Sequence, residues 1–184
     1  GPNSSQAEAQ IDSLLTMLNQ LFLRKLSGQL KNTLFMMVAD HGQVEALPET
    51  TIYLNQEPQF TGIERFLARN QRGDYLIPGG SCRDMFLYIK PDLLDEAHTF
   101  LTTHLAGRAE VYAVQTLIEQ GFFGPQPLSP TLLSRLGNLV IFPYQNESVW
   151  WYEKGRFEQN HRGHHGGLTP PEMEIPLMLY DLSP

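Results

Sequence analysis

An unbroken apolar run at residues 33–39 is the strongest constraint in this sequence, because it stops abruptly at Asp40-His41-Gly42. A run of this length predicts a β-strand. Its lack of alternation favours burial on both faces, as in a parallel sheet covered by helices. Apolar residues at helical spacing predict an amphipathic helix just before it, over residues 6–27. Because ligands of α/β sheets bind at the carboxyl ends of strands, the polar turn is a candidate site.

Charge and cysteine content narrow the classes of partner. The formal net charge is −7 and no run of Lys or Arg interrupts the acidity, so we expect no nucleic-acid groove and no membrane partner. An acidic protein that handles phosphates needs bound cations to attract them, which favours metal over a basic patch. Cys82 is the only cysteine, so no intrachain disulfide is expected, and a cytoplasmic location is the prediction.

Residues 48–150 differ in pattern from the two ends of the chain. Short elements alternate there with Pro and Gly, which is typical of a small α+β unit. The predicted strands are 51–54, 84–90 and 139–142, and the predicted helices are 61–69, 92–105, 115–120 and 130–135. We therefore predict an α/β core formed by residues 1–47 and 151–184, with residues 48–150 inserted as an α+β cap region.

Asp40 and His41 are the first candidate metal ligands. A carboxylate and an imidazole that leave the end of a strand can turn onto one divalent cation, and zinc accepts this mixture of oxygen and nitrogen. Gly42 allows the backbone to turn there without a side chain in the way. The alternative is a simple turn in which His41 is exposed to solvent.

Three histidines close to one another form the second candidate. His161, His164 and His165 lie among glycines, and such a cluster is typical of metal binding. The alternative is a polar surface loop, since glycines also occur in loops without ligands. Two dispersed groups of ligands are what a binuclear hydrolase requires.

The end of the chain predicts one short helix and one strand. Thr169 at the N-cap, Pro170 at the first helical position and Glu172 at the third predict a capping box. Residues 175–180 then predict an edge strand, where Pro176 is tolerated.

Two of these segments also resemble a known family. Residues 33–42 resemble the strand and D-H-G motif of type I phosphodiesterases and nucleotide pyrophosphatases, which belong to the alkaline phosphatase superfamily. Residues 164–173, which read H-H-G-G-L-T-P-P-E-M, resemble that family's C-terminal H-G-G-L-T-P-E-E-M segment, and residues 175–177 extend the match. Residues 119–124 and 135–140 are similar to segments that precede the final histidine in bacterial members.

The resemblance is incomplete at two positions. Asn138 stands where the family usually has Asp, and Pro171 stands where it usually has Glu. Neither departure affects a proposed ligand.

The resemblance implies a partial alkaline-phosphatase-like α/β core with a parallel sheet and two divalent metals, commonly zinc. Carried over position by position, Asp40 and His41 ligate one metal and His165 ligates the other. His161 and His164 match no ligand position and are expected to lie around the ligands. The implied activity is hydrolysis of phosphodiester or pyrophosphate bonds in a small-molecule or nucleotide substrate.

The resemblance also implies that the chain is the C-terminal part of an enzyme. Residues 1–4 resemble the link that follows an Asp-x-x-x-His metal motif in the family, so the hydroxyl nucleophile and the other ligands are expected to precede them. The chain alone is then expected to be inactive, and to form a homodimer that buries uncovered apolar surface. Other chemistries on this fold, namely monoester, sulfate or phosphonate hydrolysis and phosphomutase activity, stay open. A non-catalytic α+β module that binds a partner is the hypothesis from a different class.

Overall fold

The computed structural model describes residues 1–183. The helices are α1 (Ser5–Met17), a π-helical continuation (Leu18–Leu23), α2 (Arg24–Leu26), α3 (Leu94–His104), α4 (Val114–Glu119), α5 (Pro130–Leu133) and α6 (Pro170–Met173). The strands are β1 (Leu34–Val38), β2 (Val44–Glu45), β3 (Ile52–Tyr53), β4 (Gly79–Ser81), β5 (Asp84–Leu87), β6 (Ala109–Ala113), β7 (Leu139–Pro143), β8 (Val149–Trp150), β9 (Gly163–His164) and β10 (Leu177–Asp181). Within residues 1–183, no helix combines the length and the apolar character needed to cross a membrane.

The helix predicted over residues 6–27 is confirmed. Ser4 caps it, because its hydroxyl oxygen accepts a hydrogen bond of 3.2 Å from the backbone N–H of Ala7. The helix is α-helical over α1, then π-helical, and it ends as α2 before Gly28, which has a φ of 75°. A glycine in the left-handed region is a common helix end, since it carries no Cβ.

Strand β1 forms a two-stranded antiparallel ribbon with β10, in a register that pairs Met36 with Leu179. One side of the ribbon faces the helix, where the rings of Phe22 and Phe35 lie 5.7 Å apart. On the other side, the ribbon face is exposed: Met36 retains 62% of its surface and Leu179 retains 54%. The other members of this face are Leu34, Val38 and Leu177.

The strand predicted at residues 33–39 is therefore present, but its environment differs from the prediction. Burial on both faces is wrong, and the strand pairs antiparallel with β10 instead of joining a parallel sheet. The physical reason is that a two-stranded ribbon has two faces, and the helix covers only one of them. The edge strand predicted at residues 175–180 is confirmed as β10, which begins directly after Pro176.

The middle of the chain holds the hydrophobic core. A four-stranded antiparallel sheet, in the order β4-β5-β7-β6, packs beside α3. A short parallel pair, β3 with β8, lies in the same core through Ile52 and Val149. Helix and strand are mixed as predicted, with one parallel pair and several antiparallel ones within residues 1–183.

Most elements predicted for residues 48–150 are present. The helices at 92–105, 115–120 and 130–135 are found as α3, α4 and α5, whereas 61–69 contains only a 3-10 turn at Ile63–Arg65. The strands at 51–54, 84–90 and 139–142 are found as β3, β5 and β7, and β6 was missed. The division of the chain into a core of residues 1–47 and 151–184 and a cap region of residues 48–150 stays a prediction. The last residue of the predicted core, Pro184, lies outside the described residues.

Candidate metal-binding site

Asp40 and His41 follow the C-terminal end of β1 directly. The Nδ1 atom of His41 lies 2.8 Å from the carbonyl oxygen of Gly42. Since a carbonyl oxygen only accepts hydrogen bonds, Nδ1 is the donor, and in the neutral imidazole the lone pair is then on Nε2. Asp40 Oδ1 accepts a bond of 3.1 Å from the backbone N–H of His41, and Asp40 Oδ2 lies 3.7 Å from His41 Nε2. The side chain of Asp40 is 91% exposed, so its second oxygen is accessible to a cation.

The structure brings His165 onto His41. Their rings stack with centroids 3.8 Å apart and an interplanar angle of 16°. The contact depends on the pairing of β2 with β9, in which Val44 lies opposite His164. Two of the three predicted ligands, far apart in the sequence, are therefore neighbours in the fold.

An open cleft lies beside Asp40 and His41. It has a volume of about 540 Å³, and Asp40, His41 and Gln43 line one side while Gln10 and Ile11 of α1 line the other. The exposed carboxylate of Asp40 lies on this open cleft, so a small molecule in the cleft can reach it.

His164 is occupied by protein contacts at both ring nitrogens. Its Nε2 lies 2.7 Å from the carbonyl oxygen of His161 and therefore donates, while its Nδ1 lies 3.3 Å from Sγ of Cys82 and accepts from the thiol. His161 takes part through its backbone, and its side chain is exposed. In this arrangement, His164 supports the loop and has no lone pair directed at a cation.

Cys82 is an unreactive buried thiol. Burial raises its pKa to about 12, so it stays protonated at neutral pH. The contact between Cys82 and His164 was not predicted, because the two residues belong to segments that no local pattern connects.

The turn at Gly42 packs directly against α6. A Cβ at this position would lie 2.0 Å from the carbonyl oxygen of Pro171, a distance that no side chain tolerates. The Gly42 N–H donates to the carbonyl oxygen of Glu172 at 2.8 Å. Glycine is therefore required here for close approach, and the Asp40-His41-Gly42 turn is fixed to the first turn of α6.

Arg83 and Glu172 form a buried ion pair beneath the histidine loop. Arg83 is 0% exposed and Glu172 is 2% exposed. The guanidinium Nε and Nη2 donate to the two oxygens of Glu172 at 2.9 and 2.8 Å. The remaining Nη1 donates to the carbonyl oxygens of Tyr144 and Glu147. Neither residue was predicted as part of the site, because their pairing across the fold leaves no signal in local sequence.

The same carboxylate holds the glycine loop, and this corrects the predicted capping box. Glu172 accepts from the Gly167 N–H at 3.0 Å and from the Thr169 hydroxyl at 2.5 Å. Helix α6 does begin after Thr169, but Thr169 makes no side-chain cap to a backbone N–H. Burial raises the pKa of Glu172, yet the hydrogen bonds from Arg83, Thr169 and Gly167 outweigh it and leave this pKa below its ordinary value.

Ser81 and Asp84 contact the histidine loop from the other side. The Ser81 hydroxyl lies 2.5 Å from Asp84 Oδ1 and 3.2 Å from the carbonyl oxygen of His165. Burial raises the pKa of Asp84, and the bonds from Ser81 offset this in part. A Cβ at Gly166 would lie 2.8 Å from Asp84 Oδ1, so the loop fits here only with glycine, whose φ is 116°.

The side chains of Asp40, His41 and His165 are of the types that bind a divalent cation, but they are too few for a complete site. A carboxylate and two imidazoles are suitable donors for zinc. Within residues 1–183, however, no group of three or more His, Cys, Asp or Glu side chains is arranged to hold a metal ion. The predicted ligands are therefore adjacent, without forming a complete metal centre.

Comparisons with known proteins define the fold. No family model and no curated protein sequence matches the chain. Among solved structures, human ectonucleotide pyrophosphatase/phosphodiesterase 5 matches 98% of this chain with a TM-score of 0.61 and 15% identity. The murine protein of the same name matches 96% with a TM-score of 0.55 and 16% identity. Phosphonoacetate hydrolase from Sinorhizobium meliloti 1021 matches 80% with a TM-score of 0.53 and 16% identity.

These matches confirm the predicted fold, a partial alkaline-phosphatase-like α/β fold. The chain has the fold of one part of these hydrolases, and it covers 42% of the two mammalian chains and 36% of the bacterial one. At such low identity the likeness concerns the fold, and the chemistry has to be argued from the site itself.

Proposed function

We propose that this chain forms the C-terminal part of the active site of a metal-dependent phosphodiesterase or nucleotide pyrophosphatase. The observation that carries the proposal is the stacking of His41 on His165, 3.8 Å apart, at the end of β1. The fold is that of hydrolases with phosphate or phosphonate substrates, and the two histidines come from the two segments that resemble the family's metal motifs.

The proposal assigns Asp40 and His41 to one divalent metal and His165 to a second, with zinc as the expected ion. Bound metals would polarise the phosphoryl oxygens and neutralise charge in the transition state. In this chain, the Gly42 carbonyl fixes the His41 tautomer so that Nε2 presents its lone pair. Asp40 presents its exposed carboxylate to the cleft.

The substrate class follows from charge and from the cleft. A chain with a net charge of −7 repels phosphate unless cations are bound. The cleft of about 540 Å³ beside Asp40 accommodates a small phosphodiester or part of a nucleotide. We propose such a small molecule as the substrate.

We further propose that the remaining ligands and the hydroxyl nucleophile lie outside these 184 residues. Three donors divided between two metals are fewer than zinc normally takes from a protein, since catalytic zinc sites use about three protein ligands each. The 184-residue chain by itself is then expected to be inactive.

The test compares a longer chain with its Asp40→Asn variant. A longer chain that adds the preceding residues, loaded with zinc or manganese, should cleave a chromogenic phosphodiester faster than the matching monoester. The variant Asp40→Asn should lose both this activity and bound metal, with His161→Asn as the matched control because the His161 ring is not an assigned ligand. Unchanged metal content and activity in Asp40→Asn would refute the assignment of Asp40.

Phosphonate hydrolysis is a second enzymatic candidate, favoured by the match to phosphonoacetate hydrolase. The same longer chain assayed on phosphonoacetate and on a phosphodiester separates the two reactions. Preference for the phosphonate would replace the proposed substrate while keeping the metal site.

The alternative from another class is a non-catalytic module that binds a partner. The observation in its favour is that residues 1–183 hold no group of three or more metal-binding side chains. If the longer chain binds no metal and cleaves none of these substrates, the result favours a degenerate or non-catalytic relative, in which the histidine loop is structural.

A further inference from the structure

Glu172 is hydrogen-bonded to both candidate metal-binding segments, to one through its backbone and to the other through its carboxylate. Its backbone carbonyl accepts from Gly42 of the Asp40-His41-Gly42 turn at 2.8 Å. Its carboxylate accepts from Gly167, two residues after His165, at 3.0 Å. A shift of Glu172 therefore changes the position of one segment relative to the other.

Arg83 fixes Glu172 in turn. The guanidinium binds the carboxylate through two parallel hydrogen bonds, which determine its orientation as well as its position. The third nitrogen is bonded to the carbonyl oxygens of Tyr144 and Glu147, which belong to the loop between β7 and β8. Arg83 precedes β5, so the pair ties the site to the four-stranded sheet of the middle region.

Burial makes this pair rigid, because neither partner can exchange its bonds for water. Arg83 is 0% exposed, and an unpaired charge at that depth is strongly unfavourable. The other ion pairs of residues 1–183 are at least partly exposed, including Arg65 with Glu96, whose side chains are 59% and 55% exposed.

We propose that Arg83 and Glu172 are positioning residues that set the separation of His41 and His165 for metal binding. This inference rests on the proposed function, because it takes His41 and His165 as ligands. It predicts that the two histidines separate when the pair is altered, even in a protein that remains folded.

The experiment measures two quantities on the 184-residue chain. The first is the nuclear Overhauser effect between ring protons of His41 and His165 in metal-free protein, which reports their contact directly. The second is the affinity for Zn²⁺ by calorimetric titration. The variants are Arg83→Lys, which keeps the charge but loses the bidentate geometry, and Arg83→Met combined with Glu172→Met, which removes both charges.

We expect both variants to lose the ring-to-ring effect and to weaken Zn²⁺ binding by about tenfold to a hundredfold, the range typical of groups that orient metal ligands. The control, Arg65→Met combined with Glu96→Met, removes an exposed pair and should change neither quantity. If the double variant at Arg83 and Glu172 does not fold, Arg83→Lys carries the test.

Folded variants that keep the ring-to-ring effect and the wild-type Zn²⁺ affinity would overturn the proposal. A different result concerns the proposed function alone. If the wild-type chain shows no saturable Zn²⁺ binding, these 184 residues do not hold zinc without the remaining ligands, and the ring-to-ring effect alone decides whether Arg83 and Glu172 position the two histidines.

Discussion

The middle region (residues 48–150) and the ribbon of β1 and β10 contain similar apolar residues, but the middle region buries them and the ribbon exposes them on its outer face. Leu139 of β7 is 0% exposed in a core that other elements of the middle region complete, whereas Leu179 of β10 is 54% exposed. The middle region therefore has its own source of stability, and the ribbon gains little until its outer face is covered. Most of the stability therefore comes from the middle region, whereas the ribbon contributes to the candidate site without a core of its own.

The candidate site lies where these two parts meet. His41 follows the ribbon, whereas the loop that carries His165 is fastened to the middle region through Arg83 and Glu172. The core of the middle region thus provides a rigid support for a site whose other half is attached to an exposed ribbon.

The largest expected effect on stability comes from breaking the buried ion pair of Arg83 and Glu172. Arg83→Met leaves the Glu172 carboxylate buried without its partner, which should lower the free energy of unfolding by about 3–5 kcal/mol. Arg65→Met, at an exposed pair, should lower it by less than about 1 kcal/mol. Urea denaturation of both variants measures the difference, and equal losses would show that burial of Arg83 does not matter.

The next effect compares one substitution in both regions. Leu139→Ala removes a fully buried side chain and should destabilise the protein by about 2–5 kcal/mol. In a solution dilute enough to keep the chain monomeric, Leu179→Ala removes an exposed side chain and should cost less than about 1 kcal/mol. A large loss at Leu179 would mean that the ribbon face is covered in solution, so urea denaturation of this pair tests the comparison directly.

A smaller effect is expected from pH. Because the pKa of Glu172 is lowered in the folded protein, its contribution to stability is present above its ordinary value of 4.5 and is lost as the pH falls through the folded pKa. Asp84 acts in the opposite direction, since its pKa is raised in the folded state. Wild type should therefore lose stability more steeply below pH 4.5 than the variant that carries both Arg83→Met and Glu172→Met.

Urea midpoints measured between neutral pH and pH 3 check this expectation. Asp84, Asp181 and the other carboxylates are common to both proteins, so the difference in slope belongs to the altered pair. A wild-type curve as flat as that of the variant would contradict the lowered pKa of Glu172.

The sequence predicted local features well and long-range ones poorly. The helix at residues 6–27 follows from periodicity and the strand at 33–39 follows from an unbroken apolar run, and both are properties of neighbouring residues. The pairing of Arg83 with Glu172 has no local signal, because it joins residues that only the fold brings together. Strand β6 was not predicted, because the inner face of its sequence, A-E-V-Y-A, carries two alanines and only one larger apolar residue, Val111.

The candidate site shows the same limit. Asp40, His41 and His165 were identified by residue type and by resemblance, but the contact between the two imidazole rings depends on the pairing of β2 with β9. The exposure of Met36 was not predictable either, because an apolar strand reads the same whether or not another element covers its second face.

Substitutions on the exposed ribbon face should produce the smallest change in stability. The same substitutions should produce a large change in self-association. We propose that the isolated chain forms homodimers through this face, since a contiguous apolar surface of this kind favours association. Met36→Glu combined with Leu179→Lys places opposite charges at paired positions of the ribbon and should alter the free energy of unfolding of the monomer by less than about 1 kcal/mol. Sedimentation velocity should show a concentration-dependent dimer for wild type and a monomer for the variant. A wild-type chain that stays monomeric would remove the dimer and leave the ribbon face to a different occupant, whereas a variant that unfolds would show that the ribbon already supports the core.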